Sequence, residues 1–328
     1  MIIALDVMGG DRVPRESVAG AVQAAKELGM QIALVGPRNL IEDELARHAP
    51  VPEGLHIVDA AQVIGMDEAP AQAVRQKRDA GINVAMRLLK DGGAAGIVSA
   101  GNTGAVVAAA LLNLGRLPGI DRPAISAFFP STEKGVLILD VGANANCKPS
   151  YLVQFAHMGA TYVERIFGVQ RPRVGLLNIG EEEMKGNDLA QDVFEKLQKS
   201  NLNFVGNVEA KDIAAGIVDV VVTDGFTGNV TVKVSEALLE FLFTRIKTAI
   251  MSKAHYRLAA LVLRDAFRDV RRKLDYSESG GAPLLGVNGI VIVAHGRSDA
   301  YAFRNALRTA RDAASSGLLS ALTAVPKK

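Results

Sequence analysis

Short apolar runs alternate with longer amphipathic stretches along most of the chain. We predict buried strands at the apolar runs Ile2–Leu5, Gln31–Val35, Ile57–Asp59, Gly96–Val98, Gly135–Leu139, Val174–Leu177, Phe204–Val205, Asp219–Val222 and Ile290–Val293. Apolar residues recur every three or four positions in the longer stretches, which predicts helices at Arg15–Leu28, Val84–Lys90, Tyr151–Ile166 and Leu189–Lys199. Strands that alternate with helices are typical of an α/β fold in which helices cover both faces of a mainly parallel sheet.

One apolar stretch raises the question of a membrane span. Residues Gly92–Gly115 carry no charge and are numerous enough to cross a bilayer as a helix. The polar segment Ser99–Gly104 interrupts the middle of this stretch, so a strand, a polar turn and a helix are predicted instead. The first residues, Met1–Asp6, lack a basic segment and reach an acid at position 6, and no signal peptide is expected.

No low-complexity linker divides the chain, and a single α/β unit is predicted over residues 1–328. The composition changes only late: residues 245–273 hold nine Lys or Arg against two Asp, whereas the whole chain has a net charge of +2. Apolar residues recur at helical spacing in this region, over Leu238–Ile250 and over Tyr256–Arg272. We therefore predict a protruding, basic, amphipathic arm of two helices at about 236–275.

Two loops of the chain repeat nearly the same letters. Ser99–Gly104 and Thr223–Gly228 each begin with a hydroxyl residue and end in Gly-x-Thr-Gly, and each stands between an apolar run and a helix-like stretch. Backbone N–H groups of a glycine-rich turn at a helix N-terminus bind anions. The alternative is that both loops are only capped helix starts, with Thr103 and Thr227 as the N-cap residues. Because their chemistry matches, we expect the two loops to converge on one anion-binding cleft.

Polar residues also follow other predicted strands, at Asp6–Asp11, Asp140–Lys148, Asn178–Asn187 and His295–Gly296. Ligands of parallel α/β sheets bind at the carboxyl ends of strands, so these loops are candidate site segments. No strand is followed by Gly-x-Gly-x-x-Gly and no loop is a complete Walker A motif, so neither a dinucleotide nor ATP is expected. No Cys/His cluster indicates zinc, and the lone Cys147 excludes an internal disulfide and favours a reducing compartment. No cofactor and no metal are therefore expected.

Six motifs, in order along the chain, closely resemble the bacterial phosphate acyltransferase (PlsX) family. They are Ala4–Asp11, Ser99–Ala105, Gly119–Ala124, Leu139–Asn144, Thr223–Val230 and His295–Gly296. The resemblance implies a three-layer α/β/α sandwich like those of isopropylmalate dehydrogenase and phosphotransacetylase, assembled as a homodimer. It also implies reversible transfer of a long-chain fatty acyl group from acyl-[acyl carrier protein] to orthophosphate. The product would be an acyl phosphate that feeds glycerol-3-phosphate acylation in phospholipid biosynthesis.

Orthophosphate would be the nucleophile of this reaction, and it needs no activating triad because its oxygens are already anionic. The protein must position it and stabilise the oxyanion that develops on the thioester carbonyl. The candidate catalytic residues are Lys185, Asn144, Asn229 and His295. The candidate phosphate-binding residues are Ser99, Gly101, Asn102, Thr103 and Thr227, with Lys185 as the counter-charge. The expected supporting residues are Asp6, Gly9, Gly10, Asp11 and Asp224.

The resemblance further implies partners and a location. Acyl carrier protein, orthophosphate and a second copy of the chain are the expected partners, and nucleic acid is not. The expected location is the cytoplasm, with peripheral attachment to an anionic membrane where the downstream membrane glycerol-3-phosphate acyltransferase works. We expect Arg264, Arg268 and Arg272 of the arm to contact the carrier protein or the membrane. The alternative role for the arm is dimerisation.

Three other functions are compatible with parts of the pattern. A phosphotransacetylase acting on acyl-CoA would use closely similar chemistry. An NAD-dependent decarboxylating dehydrogenase of the same fold would need a divalent metal and a cluster of Arg at the strand ends, and no such cluster is present in the sequence. A non-catalytic scaffold at the membrane surface would explain the basic segment but not the many polar strand ends.

Overall fold

The computed structural model describes residues 1–132, 135–274 and 280–324. Its strands are β1 (Ile2–Asp6), β2 (Gln31–Gly36), β3 (Leu55–Asp59), β4 (Gly96–Ser99), β5 (Ala124–Phe129), β6 (Val136–Leu139), β7 (Arg173–Leu177), β8 (Asn203–Val208), β9 (Val220–Val222), β10 (Ala282–Leu285) and β11 (Val291–Val293). Its helices are α1 (Arg15–Leu28), α2 (Arg38–Ala46), α3 (Pro70–Gln76), α4 (Gly81–Lys90), α5 (Thr103–Asn113), α6 (Pro149–Phe167), α7 (Asp188–Gln198), α8 (Ala210–Ala215), α9 (Gly225–Met251), α10 (Ala254–Val262), α11 (Arg264–Leu274), α12 (Ala300–Ser315) and α13 (Leu318–Thr323).

Within the described residues, the strands form one sheet in the order β3-β2-β1-β4-β11-β10-β5-β6-β9-β7-β8. The first five are mutually parallel, and so are the last four. Between these halves, β10 and β5 pair antiparallel to each other and to their outer neighbours. The two parallel halves therefore run in opposite directions. The expected mainly parallel sheet is confirmed, with β5 and β10 as strands that were not predicted.

Helices cover both faces of the sheet. In β1, Ile3 packs into the core formed with α1 and α12, whereas the next residue, Ala4, packs into the core formed with α4 and α5. In β6, Leu137 and Ile138 divide in the same way between the core containing α6 and the core that reaches Val232 of α9. Because neighbouring strand residues point to opposite faces, these cores lie on opposite sides. The three-layer α/β/α arrangement is confirmed.

The uncharged stretch Gly92–Gly115 folds as predicted, with β4, a polar turn and α5. In the described part of the chain, no helix combines the length and the apolar character that a membrane crossing requires.

The basic arm consists of three helices rather than two. The start of α9 packs on β5 and β6, while α10 packs on α9 and α11 packs on α10. The predicted second helix is divided at Leu263, the C-cap residue of α10. No residue of α10 is buried, and the exposed large apolar residues of the arm are Leu238, Phe241, Leu242, Met251, Tyr256, Leu258, Leu261, Val262, Leu263, Phe267 and Val270. Arg264 and Arg268 are also exposed, and the side chain of Arg272 lies outside the described residues.

Candidate active site

The predicted site residues fall into two groups. The first group lies on the loops that follow β1, β4 and β11. We call this region, at the carboxyl ends of these three parallel strands, the β4 edge. The buried Ser99 hydroxyl donates a 2.7 Å hydrogen bond to Oδ2 of the buried Asp6, and the Gly101 N–H donates to Ser99 Oγ. A Cβ atom at Gly9 would lie 2.6 Å from the Gly101 nitrogen, so only glycine allows these loops to pack this closely.

Burial strongly affects the Asp6 carboxyl group. It raises the Asp6 pKa to about 6, although hydrogen bonds from Ser99 and from the Met8 backbone partly oppose the shift. Near neutral pH the protein therefore holds a carboxylate whose ionised form is poorly solvated. Such a group is common at functional sites, because folding alone does not favour it.

The α5 corner of the β4 edge is a capped helix start with a neutral cap. Asn102, rather than the predicted Thr103, is the N-cap residue: its Oδ1 accepts from the Ala105 N–H, and its Nδ2 donates to the Met66 carbonyl. Thr103 and Gly104 are exposed in the first turn, where helix N–H groups lack intrahelical partners. The adjacent small cavity, lined by Asp6 and Ser99 among others, has a volume of about 20 Å³. That volume holds about one water and is too small for a phosphate ion.

The remaining residues of the β4 edge close it on the β11 side. The Asp11 N–H donates to the Gly296 carbonyl at 2.8 Å, and Gly10 adopts a φ of 129° that favours glycine. His295 is exposed at the end of β11, and its Nδ1 accepts from the Arg297 N–H. Asp6, Gly9, Gly10, Asp11, Ser99 and His295 are thus brought to one edge.

The second group lies on the loops that follow β6, β7 and β9, which we call the β9 edge. Its centre is Asp140, a buried carboxylate that the sequence placed in a motif but not among the site residues. Its Oδ1 accepts from the N–H groups of Ile125, Gly142 and Ala143, and its Oδ2 accepts from the Asn144 N–H and Nδ2. Burial raises the Asp140 pKa despite these bonds. Asp140 therefore fixes the shape of the loop at residues 140–144.

The two asparagines of the β9 edge differ in how many of their side-chain amide hydrogens are already hydrogen-bonded. Both hydrogens of Asn144 Nδ2 are used, one on the Pro123 carbonyl at 2.7 Å and one on Asp140 at 2.9 Å. Asn229 Nδ2 donates one hydrogen, to the Val141 carbonyl at 2.8 Å, and an amide group has two. Asn144 therefore holds the loop, while Asn229 retains one amide hydrogen without a partner among the described residues.

The α9 corner already contains an anion. Asp224 is the N-cap residue, not Thr227, and its Oδ1 accepts from the Phe226 and Thr227 N–H groups. The Thr227 hydroxyl donates to Asp224 Oδ2 at 2.7 Å. Since the carboxylate occupies the donors that a phosphate would need, Thr227 is not free to bind phosphate in this arrangement.

Lys185 lies on the loop after β7, and β7 is the neighbour of β9. Its ammonium group is exposed and 4.0 Å from Oε1 of the exposed Glu182. An exposed ion pair at this distance contributes little, so the lysine is available to a bound anion. Its position at the β9 edge differs from the expectation, which grouped it with Ser99.

The two Gly-x-Thr-Gly corners do not face one cleft within a single chain. β4 and β9 run in opposite directions, so their carboxyl ends lie at opposite edges of the sheet. Five strand spacings separate them, which is about 24 Å along the sheet. The expectation of convergence is therefore wrong for one chain, because the antiparallel strands β10 and β5 reverse the direction of the sheet between its two halves, and no local sequence pattern records this reversal.

Cys147 is half-buried beside the β9 edge, and its Sγ donates to the Asn144 carbonyl at 3.5 Å. Burial is the main cause that raises the Cys147 pKa to about 11. The group is therefore a thiol at neutral pH, and the thiolate that nucleophilic catalysis requires is scarce.

Comparison with known proteins covers nearly the whole chain. A family described as "Fatty acid synthesis protein" matches residues 1–321. The phosphate acyltransferase of Heliobacterium modesticaldum is 51% identical over 323 residues, which cover 98% of this chain and 96% of the relative. That of Dictyoglomus turgidum is 50% identical over 312 residues, covering 94% and 93%.

Solved structures show the same fold at much lower identity. A phosphotransacetylase from Streptococcus pyogenes has a TM-score of 0.63 at 19% identity, covering 96% of this chain and 94% of that one. A 4-hydroxythreonine-4-phosphate dehydrogenase from Klebsiella pneumoniae has a TM-score of 0.57 at 13% identity, covering 96% and 98%. These neighbours establish the fold, and the much closer relatives establish the family. The chain belongs to the phosphate acyltransferase (PlsX) family of fatty acid and phospholipid synthesis.

Proposed function

We propose that this acyltransferase moves a long-chain fatty acyl group from acyl-[acyl carrier protein] to orthophosphate, and that its acyl phosphate product feeds glycerol-3-phosphate acylation. The observation that carries the proposal is the identity of about half the residues, over nearly the full length, with proteins named phosphate acyltransferase. That name specifies the acceptor. The motif resemblance and the match to a fatty acid synthesis family support the carrier-protein donor.

The reaction requires little covalent chemistry from the protein. A phosphate oxygen attacks the thioester carbonyl, the new C–O bond forms, and the C–S bond breaks to release the thiolate, which takes up a proton. Lys185 supplies positive charge to the phosphate as it reacts. The second amide hydrogen of Asn229, which has no partner in the described part of the chain, donates to the oxyanion that develops on the carbonyl.

The α5 corner is the better phosphate site of the two Gly-x-Thr-Gly corners. Its cap, Asn102, is neutral, and Thr103 and Gly104 are exposed at the helix start. The α9 corner instead presents the carboxylate of Asp224, which repels a second anion. Phosphate at the α5 corner agrees with the partial positive charge of a helix N-terminus.

A homodimer reconciles phosphate at the β4 edge with Lys185 and Asn229 at the β9 edge. In one chain the β4 edge and the β9 edge lie at opposite ends of the strands. They meet only when the β4 edge of one chain faces the β9 edge of another. A two-fold axis repeats any such contact, and the dimer would contain two equivalent composite sites.

The arm is the proposed contact with the carrier protein and the anionic membrane. Its large apolar residues, such as Leu258, Leu261 and Val262, are exposed, and clustered exposed apolar residues mark interaction sites. Exposed Arg264 and Arg268 lie on the same arm. Apolar insertion combined with basic charge is how amphipathic helices bind anionic lipid surfaces.

One assay tests the proposed function. Purified enzyme is incubated with orthophosphate and either palmitoyl-[acyl carrier protein] or palmitoyl-CoA, and acyl phosphate is trapped with hydroxylamine. Formation with the carrier-protein donor at the higher kcat/KM is the expected result. Efficient use of acyl-CoA alone would instead support the phosphotransacetylase-like alternative, and no acyl phosphate with either donor would contradict both.

A further inference from the structure

A cationic cavity of about 420 Å³ opens between the start of β5 and the start of α6. Its lining residues are Arg116, Asp121, Arg122, Lys148, Ser150 and Tyr151. Three of these side chains are cationic and one is anionic, so the cavity has a formal charge of +2. None of these residues has a role in the reaction described above.

The cations of this cavity are not neutralised by the fold. Within the described residues, the side chains of Arg122 and Lys148 make no ion pair and no hydrogen bond, and both are exposed at the cavity. Arg116 donates to the Asp121 carbonyl, which holds its guanidinium group in place. Like charges gathered in one concave surface repel one another and attract an anion.

The donors around these cations suit a phosphate group. Guanidinium groups present paired N–H donors that match phosphate oxygens, and the Ser150 hydroxyl and Tyr151 lie on the same wall. α6 also begins here, with Lys148 as an N-cap residue whose side chain makes no capping bond. The partial positive charge of the helix N-terminus therefore adds to an attraction that the three cations already supply.

The cavity adjoins the β9 edge. Asn144 Nδ2 donates to the carbonyl of Pro123, the residue after Arg122. The charge of Arg122 also lowers the pKa of Cys147 against the dominant effect of burial, which places the guanidinium group close to the loop of Asp140. A phosphate bound in the cavity would therefore stand next to the loops that hold Asn229.

We propose that this cavity binds a phosphate group of one substrate, either orthophosphate before it reacts or the phosphodiester of the donor's phosphopantetheine arm. The proposal rests on the proposed function, because both groups are substrates of that reaction. Arg122 and Lys148 bind the group directly, and Arg116 supports it from the cavity wall.

The test removes one cavity charge at a time with Arg122→Gln and Lys148→Gln. Arg165→Gln is the matched control, since Arg165 is exposed in the last turn of the same helix, about 22 Å from the cavity. Calorimetric titration measures binding of inorganic phosphate and of 4′-phosphopantetheine, and kinetics measure KM for orthophosphate, acyl-[acyl carrier protein] and acyl-CoA. Circular dichroism and the Tm confirm that each variant is folded.

Each cavity variant should weaken one of the two binding reactions and raise the matching KM about tenfold or more, as loss of a charge-assisted phosphate contact predicts. A raised KM for orthophosphate identifies the acceptor as the occupant, and a raised KM for both donors identifies the phosphodiester. A raised KM for the carrier-protein donor alone would overturn the proposal in favour of a docking surface for acidic protein. Parent-like binding and KM values in both variants, or an equal effect of Arg165→Gln, would also overturn it. If the parent formed no acyl phosphate, the proposed function would fail, while the titrations would still test the cavity.

Discussion

Lys185 offers the most direct test of the proposed chemistry at the level of a single residue. Among residues 1–132, 135–274 and 280–324, its ammonium group has only a long, exposed ion pair with Glu182, so Lys185→Ala removes charge without breaking a buried contact. We predict that this change raises the KM for orthophosphate by about tenfold or more, because a charged contact to the anion is lost. Steady-state kinetics with varied phosphate measure the effect.

The exposed Lys196 on α7 provides a control of the same type. Lys196→Ala should leave the phosphate dependence unchanged, because its side chain faces solvent away from the strand ends. A normal phosphate KM in folded Lys185→Ala would remove Lys185 from the site.

Asp6 makes a second residue-level prediction, which concerns pH and stability. Its folded-state pKa of about 6 lies above the ordinary value of 3.8, so the folded protein holds the proton more tightly than the unfolded chain. The parent therefore loses stability as pH rises from about 4 to about 6, by up to about 3 kcal/mol for a shift of two pKa units. Asp6→Asn avoids this loss, and we expect its free energy of unfolding to exceed that of the parent above pH 6.

Urea unfolding at pH 4.5 and pH 7.5 measures the difference. The stabilisation by Asp6→Asn should be smaller at the lower pH, where the parent carboxyl group is largely protonated in the folded state. An equal change at both pH values would mean that packing, not ionisation, separates the two proteins. If Asp6→Asn has a higher free energy of unfolding but a lower kcat than the parent, the buried carboxylate contributes to the reaction and destabilises the fold.

The polar residues at strand ends could largely be predicted from the sequence, whereas the hydrogen-bond partners of their side chains could not. Asp6 and Ser99 could be grouped because both follow strands of a predicted parallel sheet. The sequence could not show that Asn144 donates both amide hydrogens, to Pro123 and to Asp140. Such hydrogen bonds depend on contacts between distant parts of the chain that no local pattern records.

At the level of elements, reversing the charge of the arm tests whether the arm binds a partner or has only a structural role. We predict that reversing Arg264, Arg268 and Arg272 to Glu leaves the fold intact, raises the KM for acyl-[acyl carrier protein], and weakens binding to anionic vesicles. The reason is that exposed charges attract acidic partners over a range set by salt. Kinetics and vesicle sedimentation measure the two effects, and added salt should reproduce them in the parent protein.

Replacing the same three residues with Lys keeps the charge and is the matched control. Vesicles of neutral lipid should bind parent and variants alike. Carrier-protein kinetics and vesicle binding that both stay at parent values after charge reversal would make the arm a purely structural element.

Two strands escaped prediction for identifiable reasons. β10 contains Pro283 within four residues, and proline inside a short apolar run argues against a strand. β5 follows directly on Pro123 and breaks the alternation of strand and helix, since the next element is the strand β6. Both are the antiparallel strands of the sheet, so the rule that predicted the parallel strands did not apply to them.

At the level of the whole molecule, the composite site can be tested by mixing subunits. Asn102→Asp keeps a good N-cap residue but places a carboxylate at the proposed phosphate corner, and it should abolish activity. Lys185→Ala impairs the opposite edge. If each site combines one edge from each chain, random pairing of the two variants restores about a quarter of parent activity, because half the dimers are mixed and each mixed dimer has one intact site.

Refolding the two variants together, compared with refolding each alone, measures this restoration. Mixtures whose activity at low phosphate does not exceed the mean of the two variants refolded alone would contradict a site shared between chains. The parallel halves and the covering helices followed from the sequence pattern, but the opposed direction of the halves did not. That direction is set by the pairing of β10 and β5 in the middle of the sheet, and it decides which residues one chain can bring together.

The helix α9 joins the loop at residues 140–144 to the other two helices of the arm. Its N-terminal end packs tightly against the loop at residues 140–144. A methyl group at Gly225 would collide with the Asn144 backbone, and one at Gly228 would collide with the Asp140 backbone. Asn229 lies in its second turn, and the helix then continues without interruption to Met251, a total length of about 40 Å. Because the helix is continuous between the two, we expect a partner that holds the arm to shift the position of Asn229 as well. Binding of a partner and the rate of acyl transfer would then be mechanically coupled.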